Sequence, residues 1–176
     1  MSEAAGEPSW ATTRVDVASP RLGTEVYRVS DDFFGPASRM LSAAAPAFDP
    51  AAFDSNGKWV DGWESRRRRD GGHDWCVLRL GLRAALVGVD VDTSHFTGNY
   101  PPHTSVLAAD TVDEPNPGDW VEVVSRGALG PSRHNWFAVA DERAWRWLRL
   151  DIFPDADRDS KNRARHGRCD RPPRTC

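Results

Sequence analysis

The segment Gly57-Lys58-Trp59-Val60-Asp61-Gly62-Trp63-Glu64-Ser65-Arg66-Arg67-Arg68-Arg69, followed by Gly72-His73-Asp74-Trp75, is the densest polar cluster in the chain. Two tryptophans four residues apart sit among lysine, acids and arginines. Tryptophan is costly to leave in water, and the interleaved charges keep the segment from being plain core. That mixture suits the wall of a cleft that recognises a small polar ligand. The plain alternative is a solvated charge run beside a core strand. The segment holds no phosphate-binding loop, nucleophile elbow, zincin helix or dinucleotide fingerprint.

A second cluster runs Asp90-Val91-Asp92-Thr93-Ser94-His95-Phe96-Thr97-Gly98-Asn99-Tyr100-Pro101-Pro102-His103. Asp90 and Asp92 share one face of an alternating run, and His95 follows where that run ends. Two carboxylates and a histidine suit either a divalent cation or a general base with a general acid. The alternative is an outer strand face with a histidine at a turn. The two clusters make most sense together, as the walls of one cleft.

Short β-type runs would position these loops. Leu22 to Val29 alternates as a strand, and Ser30 caps a short helical turn toward Leu41. Pro46, Pro50 and the small residues between them read as a surface connection. Further strands are expected at 75–80, 86–92, 104–109, 120–124, 136–140 and 147–153. Turn residues such as Asn99-Tyr100-Pro101-Pro102 and Asn116-Pro117-Gly118-Asp119 separate them. About seven strands with little helix predict an all-β antiparallel sandwich or jelly roll. Residues 1–20 read as a loosely ordered lead-in, 21–155 as the sandwich and 156–176 as a disordered basic tail poor in aliphatic residues.

Composition narrows the class. A chain of 176 residues with 39% hydrophobic and 28% charged residues can bury an ordinary core. The net charge of −3 gives no reason to expect nucleic acid or an anionic membrane as a partner. No run has the roughly 20 apolar residues that span a bilayer. The acidic, polar start lacks a secretory pattern, so the cytoplasm is the expected location. Of the three cysteines, Cys76 lies in an apolar run and is expected to be a buried reduced thiol; Cys169 and Cys176 lie in the tail.

The two clusters also carry a resemblance. The runs at 57–67, Gly72-His73-Asp74-Trp75-Cys76, and Gly88-Val89-Asp90-Val91-Asp92-Thr93-Ser94-His95-Phe96-Thr97-Gly98-Asn99-Tyr100-Pro101-Pro102 are similar to allantoicase signatures. Asp31-Asp32-Phe33-Phe34 and Leu150-Asp151-Ile152-Phe153-Pro154-Asp155 resemble the segments that open and nearly close that family's first repeat. The resemblance covers about Ala18 to Asp155. It implies a galactose-binding-like jelly roll, normally present twice in one chain, and a homo-oligomer of the full-length parent. It also implies hydrolysis of allantoate to ureidoglycolate and urea in cytoplasmic purine catabolism. The chain departs from the pattern in lacking a second repeat and in an unrelated basic text after Asp155. That switch reads as a frameshift or truncation, which predicts a missing last strand and poor activity.

For such a reaction, position within the family motifs makes Glu64, Asp74 and Asp92 candidates to activate water, and His73 or His95 candidates to protonate the departing nitrogen. Arg66 or Arg67 would clamp the substrate carboxylate, because a guanidinium fork meets both oxygens in one plane. Lys58, Trp59, Asp61, Trp63 and Asn99 complete the expected substrate contacts. No cofactor is required, although a divalent cation such as manganese could polarise a ureido oxygen. A binding module without catalysis and an inactive fragment are the competing readings.

Overall fold

The computed structural model describes residues 6–154. Nine strands form among them: β1 (Glu25–Val29), β2 (Phe53–Asp54), β3 (Gly57–Lys58), β4 (Asp74–Ala85), β5 (Gly88–Asp90), β6 (His103–Ala109), β7 (Val121–Ala128), β8 (Trp136–Ala138) and β9 (Ala144–Phe153). Five of them make one antiparallel sheet in the order β1-β4-β9-β6-β7, while β2–β3 and β5–β8 are separate two-stranded ribbons.

Period-two alternation sets the inner face. Cys76 stands opposite Leu150 and Leu78 opposite Leu148, while β6 sets Val106 and Ala108 against the same two leucines. The β5–β8 ribbon covers that face, with Leu86, Val89, Phe137 and Val139 joining the core. This second layer makes the assembly a two-layer, all-β sandwich. At the centre Cys76 is fully buried, and burial pushes its thiol up to about 12, so it stays protonated and unreactive.

The outer face is built differently. Val77, Ala109 and Trp147 form a smaller cluster flanked by Trp75 and Trp120. Arginines lie over its aromatic rings: Arg79 over Trp147, with Arg28 and Arg149 over Trp75. Their alkyl stems shield the indoles while the guanidiniums stay wet.

Several boundaries depart from the sequence reading. The lead-in is not loose from Pro8 onward. Ser9–Thr13 is a short α-helix, and Trp10 meets Trp136 edge to face at 5.5 Å. A Cβ on Gly88 would stand 2.3 Å from the Trp10 ring, so the missing side chain makes the seat for that indole. The helical turn before Leu41 is a 3-10 turn at Ala37–Leu41. The Pro46–Pro50 region leads into a hairpin, β2–β3, that its loop-like composition conceals. β9, the last strand described, lies in the middle of the sheet between β4 and β6, so its own edges are both paired. The basic segment 156–176 lies outside the described residues.

Candidate active site

Three segments converge near the start of β4. Residues 31–35 follow β1, residues 59–66 follow β3, and residues 92–99 follow β5. Gly35 and Glu64 are joined as an antiparallel bridge, with Glu64 N–H donating to Gly35 O and Gly35 N–H to Glu64 O, both at 3.0 Å. The approach is so close that a Cβ on Gly35 would lie 2.4 Å from Gly62 O. One on Gly62 would lie 3.1 Å from the Phe96 ring. Two glycines thus allow the three segments to pack in contact.

Side chains complete the junction. Asn99 Nδ2 donates to Glu64 Oε1 at 2.7 Å, tying the two sequence clusters together across 35 residues. His95 has a left-handed backbone, φ 67°, a conformation uncommon outside glycine and asparagine. Its N–H reaches Ser132 Oγ at 3.2 Å. Its Nε2 lies 3.2 Å from Pro46 O. A carbonyl only accepts, so Nε2 is the donor in this contact. The imidazole stacks on Phe48 at 5.6 Å, and Lys58 Nζ lies 4.9 Å from the centre of the same ring. Asp61 accepts from Ala47 N–H at 2.8 Å, which holds the Pro46–Phe48 segment in place. Lys58, Asp61, Glu64, His95 and Asn99 are therefore brought into one neighbourhood.

Other sequence candidates lie apart from it or are committed. Arg66 places its fork on Asp31, with Nε at 2.9 Å and Nη2 at 2.7 Å from Oδ1. That pairing raises the guanidinium and lowers the Asp31 carboxyl, whose burial works in the opposite sense. Arg67 follows as an exposed side chain. Trp63 turns toward the core, its indole donating to Asp31 O at 2.8 Å. Trp59 carries the Arg39 guanidinium at 5.5 Å. Asp74 is buried among Ser30, Ser65 and Arg68, at 2.8, 2.9 and 3.3 Å. His73 stands on the outer face against Phe153, with Nε2 3.4 Å from Asp151.

Asp92 turns back to accept from Ser94 N–H, and it faces a histidine that the sequence reading did not single out. His134, before β8, has Nδ1 2.6 Å from Asp90 and 3.9 Å from Asp92, and it stacks on Trp136 at 5.0 Å. The bond to Asp90 raises the imidazole above its ordinary range. Burial lifts the Asp90 carboxyl, against the pull of that bond. Only the Asp90–Trp136 register of the β5–β8 ribbon brings these groups together. Phe48 also went unread, although an aromatic between Pro46 and Pro50 in a stretch of small residues was a signal of use.

The fold places the chain among galactose-binding-like sandwiches. It superposes on the family 32 carbohydrate-binding module of C. perfringens NanJ, solved with galactose, with a TM-score of 0.53 at 11% identity over 78% of this chain and 87% of that one. Within that class the match is specific. The pattern of the allantoicase repeat covers residues 15–156. A probable allantoicase of Pseudomonas paraeruginosa is 48% identical over 143 residues, 80% of this chain and 43% of that protein. Probable allantoicase 1 of Burkholderia mallei is 44% identical over 150 residues, 84% of this chain and 44% of its own. The allantoicase structure from Saccharomyces cerevisiae superposes with a TM-score of 0.70 at 31% identity, over 80% of this chain and 44% of that chain. The chain belongs to the allantoicase family, and it spans a little under half the length of these relatives.

Proposed function

We propose that the chain carries the hydrolysis of allantoate to ureidoglycolate and urea, with the Glu64–His95 neighbourhood as its site. Allantoate holds a carboxylate and two ureido groups on one carbon. Water adds a hydroxyl to that carbon, the C–N bond to one ureido group breaks, and the departing nitrogen takes a proton to leave as urea. A base and an acid suffice, each contributing about 10²- to 10⁴-fold.

The observation that carries the assignment is the 2.7 Å bond between Asn99 and Glu64, which leaves Glu64 Oε2 for water beside the loop that presents His95. Glu64 takes the proton from water. His95, anchored through Nε2 to Pro46 O, delivers one from Nδ1. With Arg66 held by Asp31, the substrate carboxylate falls to Lys58, whose ammonium makes one long bond, 3.4 Å to Pro50 O, and keeps donors to spare. His73, Asp74 and Asp92 drop out of the proposed chemistry because their partners lie elsewhere. Among the described residues no group of three or more His, Cys, Asp or Glu is placed as metal ligands.

The test is urea release from allantoate by the purified chain, compared with Glu64→Gln. Turnover that depends on Glu64 supports the reading. A folded chain that releases no urea favours a binding module, and one that shows no cooperative melt favours an inactive fragment. The cytoplasmic location and the homo-oligomer implied by the family likeness belong to the same proposal, and sedimentation at working concentration tests the second. Among the described residues no helix is long and apolar enough to cross a membrane.

A further inference from the structure

The other end of β4 holds a pocket that the proposed chemistry does not use. Gly81 lies seven residues along the strand from Asp74, roughly 23 Å at the rise of an extended chain. Here the ladder is interrupted: Arg79 pairs with Trp147 and Ala84 with Trp145, so Leu80 to Arg83 stand opposite the single residue Arg146. The interruption resets the alternation. Trp145 enters the inner core and Trp147, two residues later, enters the outer cluster, both 3% exposed. Bulges of this kind re-aim side chains.

The bulge is tightly held. Gly81 N–H donates to Thr24 Oγ1 at 3.1 Å, and the Thr24 hydroxyl donates to Val17 O at 2.6 Å. A Cβ on Gly81 would stand 1.9 Å from Leu22 O, so only glycine fits.

What the bulge builds is a pocket of about 140 Å³, with Arg79, Gly81, Arg83, Val112, Arg146 and Trp147 in its wall. Arg83 lays its fork on Asp110 at 2.9 and 2.6 Å, and Arg146 Nε reaches the same carboxylate at 3.2 Å. Arg79 lies over Trp147 and is 3.9 Å from Glu25, a mostly exposed acid. Two guanidiniums thus share the Asp110 carboxylate, and the third, on Arg79, has only the longer contact to Glu25. Arg146 keeps its terminal amino groups and Arg79 most of its fork.

We infer that this pocket binds a small oxyanion, whose carboxylate or phosphoryl oxygens bridge Arg79 and Arg146. Arg83 is held in place by Asp110 and completes the positive wall. At about 30 Å³ per water-sized group the space admits roughly five heavy atoms, the size of phosphate or of acetate. Guanidinium forks suit both, since each presents paired oxygens in a plane.

The test follows the arginine Nε–H resonances of the labelled full chain as sodium phosphate, sodium acetate or sodium chloride is added at constant ionic strength. Saturable shifts at Arg79 and Arg146 with phosphate or acetate, but not with chloride, are expected. The anion that saturates first shows whether the source is a phosphoryl or a carboxylate group. Arg79→Gln, which leaves the Asp110 pairs intact, should weaken binding at least about fivefold, the loss of one charge-assisted bond. Arg146→Gln, shown to be folded by a thermal melt beside the unmodified chain, is the second variant. Shifts that never saturate, that chloride reproduces, or that saturate equally in a folded variant would overturn the site.

Discussion

The two ends of β4 solve the same electrostatic problem in opposite ways. At the Asp74 end two arginines are matched by acids: Arg66 by Asp31, and Arg68 by Asp70 and Asp74. Asp74, nearly buried, also takes two serine hydroxyls. At the Gly81 end three guanidiniums lie around one pocket and only Asp110 is bonded closely. Matched charges make a rigid platform, because a buried carboxylate enclosed by donors is costly to move. Unmatched charges leave donors over, and leftover donors are what a soluble ligand can use. In the proposed site, the loops beside Asp74 leave a few side chains outside the matched pairs for the substrate, Glu64, His95 and Lys58 among them.

The sharpest way to break this comparison is to remove the groups assigned to chemistry and watch whether stability follows. Glu64→Gln should lower urea release from allantoate by about 10²- to 10⁴-fold. His95→Asn, which tolerates the left-handed backbone at that position, should do the same. Chemical denaturation should move by less than about 0.5 kcal/mol in both, as at other polar surface positions. Normal turnover with a lowered melting temperature would assign both residues to structure instead.

Asp74→Ala should reverse that pattern. Removing the buried carboxylate strands two hydroxyls and takes one of Arg68's two acids, and should cost about 2–4 kcal/mol of unfolding free energy. A urea titration showing a loss under about 0.5 kcal/mol would mean that Asp74 is not the keystone of the platform.

Gly35→Ala couples the two properties. The added methyl meets the Gly62 carbonyl, so the bridge to Glu64 must open. A loss of about 1–3 kcal/mol is expected, together with reduced turnover. Stability that falls while turnover per folded molecule stays constant would separate Glu64 from the bridge.

The smallest effect concerns His134 and is read by pH. Its folded pKa is raised by the bond to Asp90, with Asp92 and Glu7 adding to it. The stabilisation is fully present below the unfolded histidine value of about 6.5 and is lost as pH rises through the folded value. With half of the side chain exposed, less than about 1 kcal/mol is at stake. Melts between pH 5 and 9 should show this decline, and His134→Phe should remove it. An unchanged slope in the variant would place the titration elsewhere.

Much of the fold was legible because it rests on local periodicity. Cys76, Leu78 and Leu80 alternate with Val77 and Arg79, and that alternation alone assigns the two faces of β4. The helical turn near Leu41 does form, but it starts at Ala37 after Pro36, and Ser30, read as its cap, gives its hydroxyl to Asp74 instead. The β2–β3 hairpin was not, since Pro50 and the polar residues around Phe53 suit a loop equally well. The lead-in was misread because the seat for Trp10 is a gap on Gly88, 78 positions later.

Residue types by themselves determined which side chains could do acid–base chemistry and that two clusters held most of them, and the family likeness followed from those same residues. Tertiary structure alone decided which of those groups are committed. Arg66 and Asp31, Asn99 and Glu64, and His134 and Asp90 are pairs separated by 35, 35 and 44 residues. A charge is spent or available according to what lies within about 3 Å of it. Over such separations that distance is set by strand register and glycine contacts, which no local pattern encodes.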